Sequence, residues 1–303
     1  MEPSQLLPEK GRVAFVAARE TGITPDDARI ADELAKLGVV VTPALWDAQE
    51  PMRVDAFVIR SPWNYHLDPE AFLAWIARAN AVAPVFNDPA VVAWNAHKRY
   101  LLDLESAGIP IAPTVLALRG DSCDLASILR ERNWHEVVIK PAISASSYMT
   151  AIVGVTPHPA LQIEELHSRF IDDGQAHLDR ILRTRDALIQ PFMPEIFTRG
   201  ERSLVYIDGR YSHCVQKDAF TTGPGGGHAV EADDEERGIA ERAIGTLPHP
   251  PLYARVDLLR NAAGKEHLME LELIDPELYM RYSDDAPRRF AQALVETLAR
   301  RTA

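Results

Sequence analysis

The sequence predicts a mixed α/β protein built from several lobes, and three observations carry that expectation. Short apolar runs alternate with helical patterns up to Asn87, as in a parallel sheet with helices packed on it. Past Ile189 the pattern changes to strand pairs joined by tight turns, as in an antiparallel sheet. At 303 residues the chain is too long for one core and too short for three large ones.

Val13 to Ala18 reads as the first strand. Pro25-Asp26-Asp27 opens a helix through Leu37, with Asp or Thr available as its cap, and Gly38 stops it. Strands follow at Val39 to Thr42 and Ala56 to Ile59, then the loop RSPWNYHLDPE, a helix from Pro69 to Asn80 and a strand at Pro84 to Phe86. Asn87-Asp88-Pro89 closes this first α/β lobe, residues 1–89.

The remainder, 90–303, begins with one helix over VVAWNAHKRYLLDLESAG, closed by Gly108. A small α+β lobe is expected over about 113–190. It holds a strand ending in VVIKP, the small-residue loop AISASS, the strand YMTAIVGV and a long helix around Gln162 to Arg183. In 191–303, ERSLVYID and GRYSHCVQK pair across an Asp208-Gly209 turn, and TTGPGGGH reads as a mobile loop. A helix from Asp233 to Ile244, the strands LYARVDLL and EHLMELELI and a C-terminal helix complete the chain.

Composition narrows the function. Hydrophobic content of 47% and charged content of 25% are those of an ordinary globular protein. A formal net charge of -12 with no basic tract argues against a nucleic-acid partner. Cys123 and Cys214 make neither a disulfide framework nor a CxxC pair, so a cytoplasmic compartment is expected. The start MEPSQLLPEKGR lacks the order of a signal peptide, and no apolar run is long enough to span a bilayer. Neither a membrane nor nucleic acid is expected as a partner.

The acids near the end are the most informative feature. Period-two alternation puts Tyr253, Arg255 and Asp257 on one strand face, and Glu270 and Glu272 on a face with Leu268 and Ile274, opposite Met269, Leu271 and Leu273. Two carboxylates at i and i+2 inside an apolar strand repel unless a counter-charge is present. A hard cation such as Mg²⁺ supplies one for Asp257, Glu270 and Glu272, although alternation alone equally allows a solvated acidic face. Lysine is scarce, at positions 10, 36, 98, 140, 217 and 265 only, which makes placement informative. Lys140 ends a strand just before AISASS, whose backbone N–H groups and hydroxyls, Ser146 among them, suit phosphate oxygens. Lys140 and Lys217, each at the end of a strand, read equally as ordinary surface lysines, and Lys98 lies in the helix after Trp94-Asn95.

The ordered set RSPWNY, WNAHKRYLLDLESAGIPIAPT, VVIKP, LIQPFMPEI, GERSLVYIDGRYSHCVQK, YARVDLL and MELELIDPEL resembles the ATP-grasp superfamily. The likeness is closest to the branch of cycloserine synthetase and prokaryotic glutathione synthetase. It covers most of the chain, from about Arg60 to Tyr279. The resemblance implies an ATP-grasp fold with an N-terminal α/β lobe, the 113–190 lobe acting as a lid. It implies that Lys98 and Lys140 contact nucleotide phosphates and that Gln190, Pro191, Phe192 and Met193 form the adenine-binding hinge. Glu195 and Glu201 are implied at the ribose, and Asp257, Glu270 and Glu272 as the metal carboxylates. Arg202, Lys217 and Arg255 are implied close to the transferred phosphate or the substrate carboxylate.

The activity so implied is ATP- and Mg²⁺-dependent carboxylate–amine ligation through an acyl phosphate, on an amino acid or small peptide. Small-molecule carboxylate and amine substrates would be the partners, with a homodimer as the assembly to test. A phosphotransferase on the same scaffold and a non-catalytic nucleotide-binding module are the rival readings. One departure stands out: DAFTTGPGGGHAV follows Lys217 where cycloserine synthetase-like proteins carry a more basic stretch, which implies a different acceptor. The Gly223 to His228 loop is expected to close on substrate. Arg60, Trp63 and Tyr65 either face the site or are a packed Trp with a surface Arg.

Overall fold

Four parallel strands form the first sheet, β1 (Gly11–Ala17), β2 (Val39–Leu45), β3 (Ala56–Ser61) and β4 (Val85–Phe86), in the order β2-β1-β3-β4. The computed structural model describes residues 11–154, 173–218 and 226–302. β1 and β3 are almost continuously buried, as a parallel sheet covered on both faces requires. α1 (Pro25–Lys36) starts where the Thr24 hydroxyl accepts the Asp27 N–H, with Pro25 in the first turn, whose missing N–H costs nothing there. α2 (Pro69–Val82) is capped by Asp68 and buries Phe72, Trp75, Ile76 and Ala79 at helical spacing.

The single helix expected after residue 90 is two, α3 (Pro89–Asn95) and α4 (Tyr100–Ser106). Long-range hydrogen bonds explain the break. Asn95 Nδ2 donates to the Leu271 carbonyl at 2.8 Å, Asn95 Oδ1 accepts the Leu273 N–H at 3.0 Å, and the Lys98 N–H donates to the Ala142 carbonyl at 2.7 Å. Lys98 therefore sits in the turn between the helices.

A second, antiparallel sheet has the order β5-β8-β6-β7, from β5 (Val115–Ala117), β6 (Glu136–Pro141), β7 (Ala151–Gly154) and β8 (Ala187–Pro191). α5 (Leu125–Arg132) and α6 (Gly174–Leu182) cover it over a core that includes Val137, Ile139, Leu178, Ile181 and Ile189. Of the long helix expected from Gln162, residues up to 172 lie outside those described.

The third sheet, order β11-β10-β9-β12-β13, is antiparallel and central. It contains β9 (Arg202–Ile207), β10 (Arg210–Lys217), β11 (Gly227–Val230), β12 (Tyr253–Arg260) and β13 (Glu266–Glu272). Asp208 and Gly209 both have positive φ, 50° and 69°, the requirement of a tight hairpin matched to right-handed twist. Gly227 and His228, expected in a mobile loop, instead pair with Lys217 and Gln216 as β11 against β10; residues 219–225 lie outside those described. α7 (Asp234–Gly245), started by a reciprocal Asp233–Glu236 capping box, packs on one face. On the other, Val205, Ile207 and Tyr253 join Val13, Phe15 and Ile30 of the first lobe and Phe290 and Leu294 of α8 (Ala286–Thr302) in one core. Among the described residues no helix is long and apolar enough to cross a membrane.

Candidate active site

The two antiparallel sheets, with Trp63 and Tyr65 from the loop after β3, line one cleft of about 460 Å³. Its floor is the β12–β13 pair, where Asp257 lies directly across from Glu270 and Arg255 from Glu272. A register shift between Asp257 and Leu258 corrects the simple alternation. The extra residue turns Leu268 away from the acids into one core with Leu271 and Leu273, and brings Met269 to the cleft. Leu268 is fixed from outside as well, through backbone bonds with Pro110 and Ala112. Ile274 stays on the cleft side.

Each acid on this floor is paired with a cation, Asp257 and Glu272 sharing Arg255. Glu270 accepts from Lys98 Nζ at 2.9 Å and Lys140 Nζ at 2.8 Å, one lysine from the turn before α4 and one from β6. Burial pushes the Glu270 pKa up, but Lys140 and Lys98 together outweigh it and hold the carboxyl well below the usual range. Asp257 accepts from Arg255 Nη2 and Lys217 Nζ, both at 2.9 Å, and from the Ser203 hydroxyl at 2.6 Å. These partners overcome its burial and lower its pKa. Lys217 also pairs with Glu201, and Arg255 with Glu272. Glu272 goes the other way: burial raises its pKa, Arg255 opposes, and Asp257 and Glu270 add to the rise.

Part of the lining is apolar: Val138, Ile152, Met193, Leu259 and Met269, of which Met193, Leu259 and Met269 pack together. Gln190 to Met193 also line the cleft; Gln190 is held by its amide N–H to the Thr114 hydroxyl at 2.9 Å, and the Phe192 N–H donates to the Glu136 backbone carbonyl at 2.8 Å. The Ser144 to Thr150 turn also contributes to the cleft, and within it Ser146, Ser147 and Met149 adopt positive φ. That conformation is costly for residues with a side chain and commonly marks a functional turn. It is anchored to the first lobe: the Tyr148 ring lies 4.8 Å from that of His66, under Arg185.

Thirteen sequence-predicted residues come together here: Lys98, Lys140, Ser146, Gln190, Pro191, Phe192, Met193, Glu201, Lys217, Arg255, Asp257, Glu270 and Glu272. Two do not. Arg202 follows Glu201 and precedes Ser203, so alternation sends it to the far face of β9, 3.8 Å from Glu236 of α7. Glu195 lies in the 3-10 turn Pro194–Phe197, where its neighbour Ile196, not Glu195 itself, lines the cleft.

The RSPWNY loop divides. Arg60 is 3% exposed and paired with Asp27 at 2.7 Å, under the sheet, neither on the surface nor in the cleft. Trp63 and Tyr65 line the cleft. Sequence reasoning missed Asp275, Glu277 and Tyr279, which lie in an irregular segment after β13. Only the motif MELELIDPEL, which contains the first two, pointed near them.

The three floor carboxylates are hard oxygen donors on one sheet face, which suits Mg²⁺. Burial first, and then the charges of Asp257 and Glu270, raise the Glu272 carboxyl. Within the chain the cations already named hold these acids, and no three acidic, His or Cys side chains among the described residues converge as a ready-made cation cage. The residues fit the ion once the lysines pass to another anion.

Residues 13–87 match the family described as the N-terminal domain of D-cycloserine synthetase DcsG. The cycloserine biosynthesis protein DcsG of Streptomyces lavendulae is 31% identical over 265 residues, covering 81% of this chain and 84% of its own. The crystal structure of D-cycloserine synthetase DcsG superposes with a TM-score of 0.81 at 28% identity, over 95% of this chain and 100% of the other. An ATP-grasp ligase, PsnB, solved with a minimal precursor, Mg and ADP, gives a TM-score of 0.60 at 14% identity, over 95% and 98% of the two chains. With that identity across most of both sequences, the protein belongs to the DcsG cycloserine synthetase family, and its fold is the ATP-grasp fold.

Proposed function

We propose that the protein is a cytoplasmic, ATP- and Mg²⁺-dependent ligase that joins the carboxylate of an amino acid or small peptide to an amine. One observation carries the reading: a single cleft combines an apolar cluster, Met193, Leu259 and Met269, with the cations Lys98, Lys140, Lys217 and Arg255, the pairing of surfaces that a base joined to a polyphosphate requires. Residues 1–89 are read as the N-terminal lobe, and about 113–190 as a lid over the C-terminal lobe, 191–303.

Gln190 to Met193 would receive adenine, with Met193, Leu259 and Met269 against its faces. Lys98, Lys140 and the Ser146 turn would take phosphate oxygens, and Glu201 the ribose side. Asp257, Glu270 and Glu272 would hold Mg²⁺, which when bound neutralises charge on the phosphates during transfer. The substrate carboxylate attacks the γ-phosphorus of ATP, ADP leaves, and the amine then displaces phosphate from the acyl phosphate. Arg255, fixed by Asp257, Glu272 and the Glu277 carbonyl, and Lys217, paired with Asp257, would stabilise the developing oxyanion. Because they are locked before substrate arrives, little reorganisation is needed at that moment.

The test is release of ADP and phosphate across a panel of amino acids and amines. Amide or ring product with stoichiometric phosphate is expected. A stable phosphorylated product would make the protein a phosphotransferase, and nucleotide binding without turnover a binding module.

A further inference from the structure

Asp275 is an acid of the cleft that the described residues leave without an ion pair. The four cleft cations are committed to Glu201, Asp257, Glu270 and Glu272, and Glu277 pairs with Arg281. Among the described residues Asp275 makes no ion pair, and its Oδ2 is buried without a hydrogen-bond partner. Lys98, Arg255 and Arg60 act on it only at a distance, and burial raises its pKa to about 6. An isolated carboxylate so desolvated is costly unless something arrives to pair with it.

The backbone around it is held firmly. The Tyr253 hydroxyl lies 2.6 Å from the Ile59 carbonyl and 2.9 Å from that of Ile274. The Trp63 indole N–H donates to the Asp275 carbonyl at 3.1 Å, and Arg60 Nη2 to that of Pro276 at 3.2 Å. Ile274 to Pro276 is thus clamped to the first lobe, with Trp63 bonded to Asp275, and Tyr65, on whose hydroxyl the Asp275 charge acts, lines the same cleft. A carboxylate flanked by aromatic rings is the chemistry that recognises a compact ammonium group, through charge and through the ring faces.

We propose that Asp275, with Trp63 and Tyr65, forms a subsite for a protonated amine carried by the carboxylate substrate, distinct from the neutral amine that attacks. This deepens the ligase reading and rests on it. The subsite would select amino carboxylates over simple acids, since a desamino acid leaves Asp275 unpaired.

Calorimetry on the full chain saturated with AMPPNP and Mg²⁺ tests this directly. Glycine, alanine and serine of both hands are titrated against acetate, propionate and 3-hydroxypropionate. At least one amino carboxylate should bind tenfold or more tighter than its desamino partner. Asp275→Asn should erase that difference while leaving AMPPNP affinity unchanged. Equal binding within every pair, no binding of any amino carboxylate, or a preference that survives Asp275→Asn would overturn the subsite. The wild-type comparison stands even if the variant does not fold. Phosphate release is read in parallel: binding that depends on Asp275 without turnover sinks only the ligase reading, and turnover indifferent to Asp275 sinks only the subsite.

Discussion

Glu270 and Asp257 face each other directly across the β12–β13 ladder, yet the ion pairs that hold them share no cation. Lys98 and Lys140 belong to Glu270; Arg255 and Lys217 belong to Asp257. Two acids that would repel are thus each neutralised separately. The lysines come from the turn before α4 and from β6, the other pair from the third sheet itself. A polyphosphate can therefore draw off the first pair of cations without disturbing the second.

Glu270→Gln follows from that arrangement. Removing one carboxylate is often harmless where it relieves repulsion, but here it strands two ammonium groups that are each 11% exposed. The variant should lose about 2 kcal/mol and melt a few degrees lower. AMPPNP with Mg²⁺ should recover much of that loss, since phosphate replaces the missing anion. Turnover should fall by about a hundredfold or more. Paired melting curves and phosphate assays check it; unchanged melting would mean the lysines are not held by Glu270.

Asn87 should prove a stability residue. It is 3% exposed, donates to the Tyr253 and Leu273 carbonyls at 2.8 and 2.9 Å, and accepts the Leu252 N–H at 2.9 Å. Asn87→Ala leaves three buried backbone groups unpaired, a cost of about 3 kcal/mol or more. Denaturant unfolding measures it. A loss below about 1 kcal/mol would show that water replaces the amide.

How much of this was legible in the sequence depended on the range of the interaction. Alternation put Glu270 and Glu272 on one face, and Asp208-Gly209 announced its hairpin, because both signals span only a few residues. The bulge at Asp257 could not be read, since it is set by how β12 meets β13 and by the backbone bonds of Leu268 to Pro110 and Ala112. Nor could the burial of Arg60, whose partner Asp27 is far back in the chain. Asp275 and Tyr279 have no periodic pattern to betray them. Arg202 is different: period two was available, and Glu201 and Arg202 could not both face the cleft from neighbouring positions.

His213 makes stability fall at mildly acid pH. Burial pushes its pKa down to about 4, and its Nε2 lies 3.0 Å from the Leu278 carbonyl, which fits a neutral ring donating there. With a folded pKa below the unfolded value near 6.5, the unfolded chain binds more protons between those limits, so stability rises with pH across about 4 to 6.5. The contribution is about 3 kcal/mol, fully present above about 6.5 and lost by about 4. Comparing wild type with His213→Gln across that range isolates it. Parallel curves would show that His213 titrates normally.

Arg202→Met separates the two roles open to that arginine. Its Nε and Nη1 are buried without partners, and its nearest acid, Glu236, is already held by Arg199 at 2.6 Å. Removing poorly satisfied donors and filling the space with a flexible apolar chain should change stability by no more than about 1 kcal/mol. Because the side chain lies on the face of β9 away from the cleft, kcat should stay within about threefold of wild type. A group that stabilised the transferred phosphate would instead cost about a hundredfold or more on removal. Turnover of the folded variant decides. A loss of that size would place Arg202 back in the reaction, by way of a rearrangement of β9 that brings its far face to the substrate.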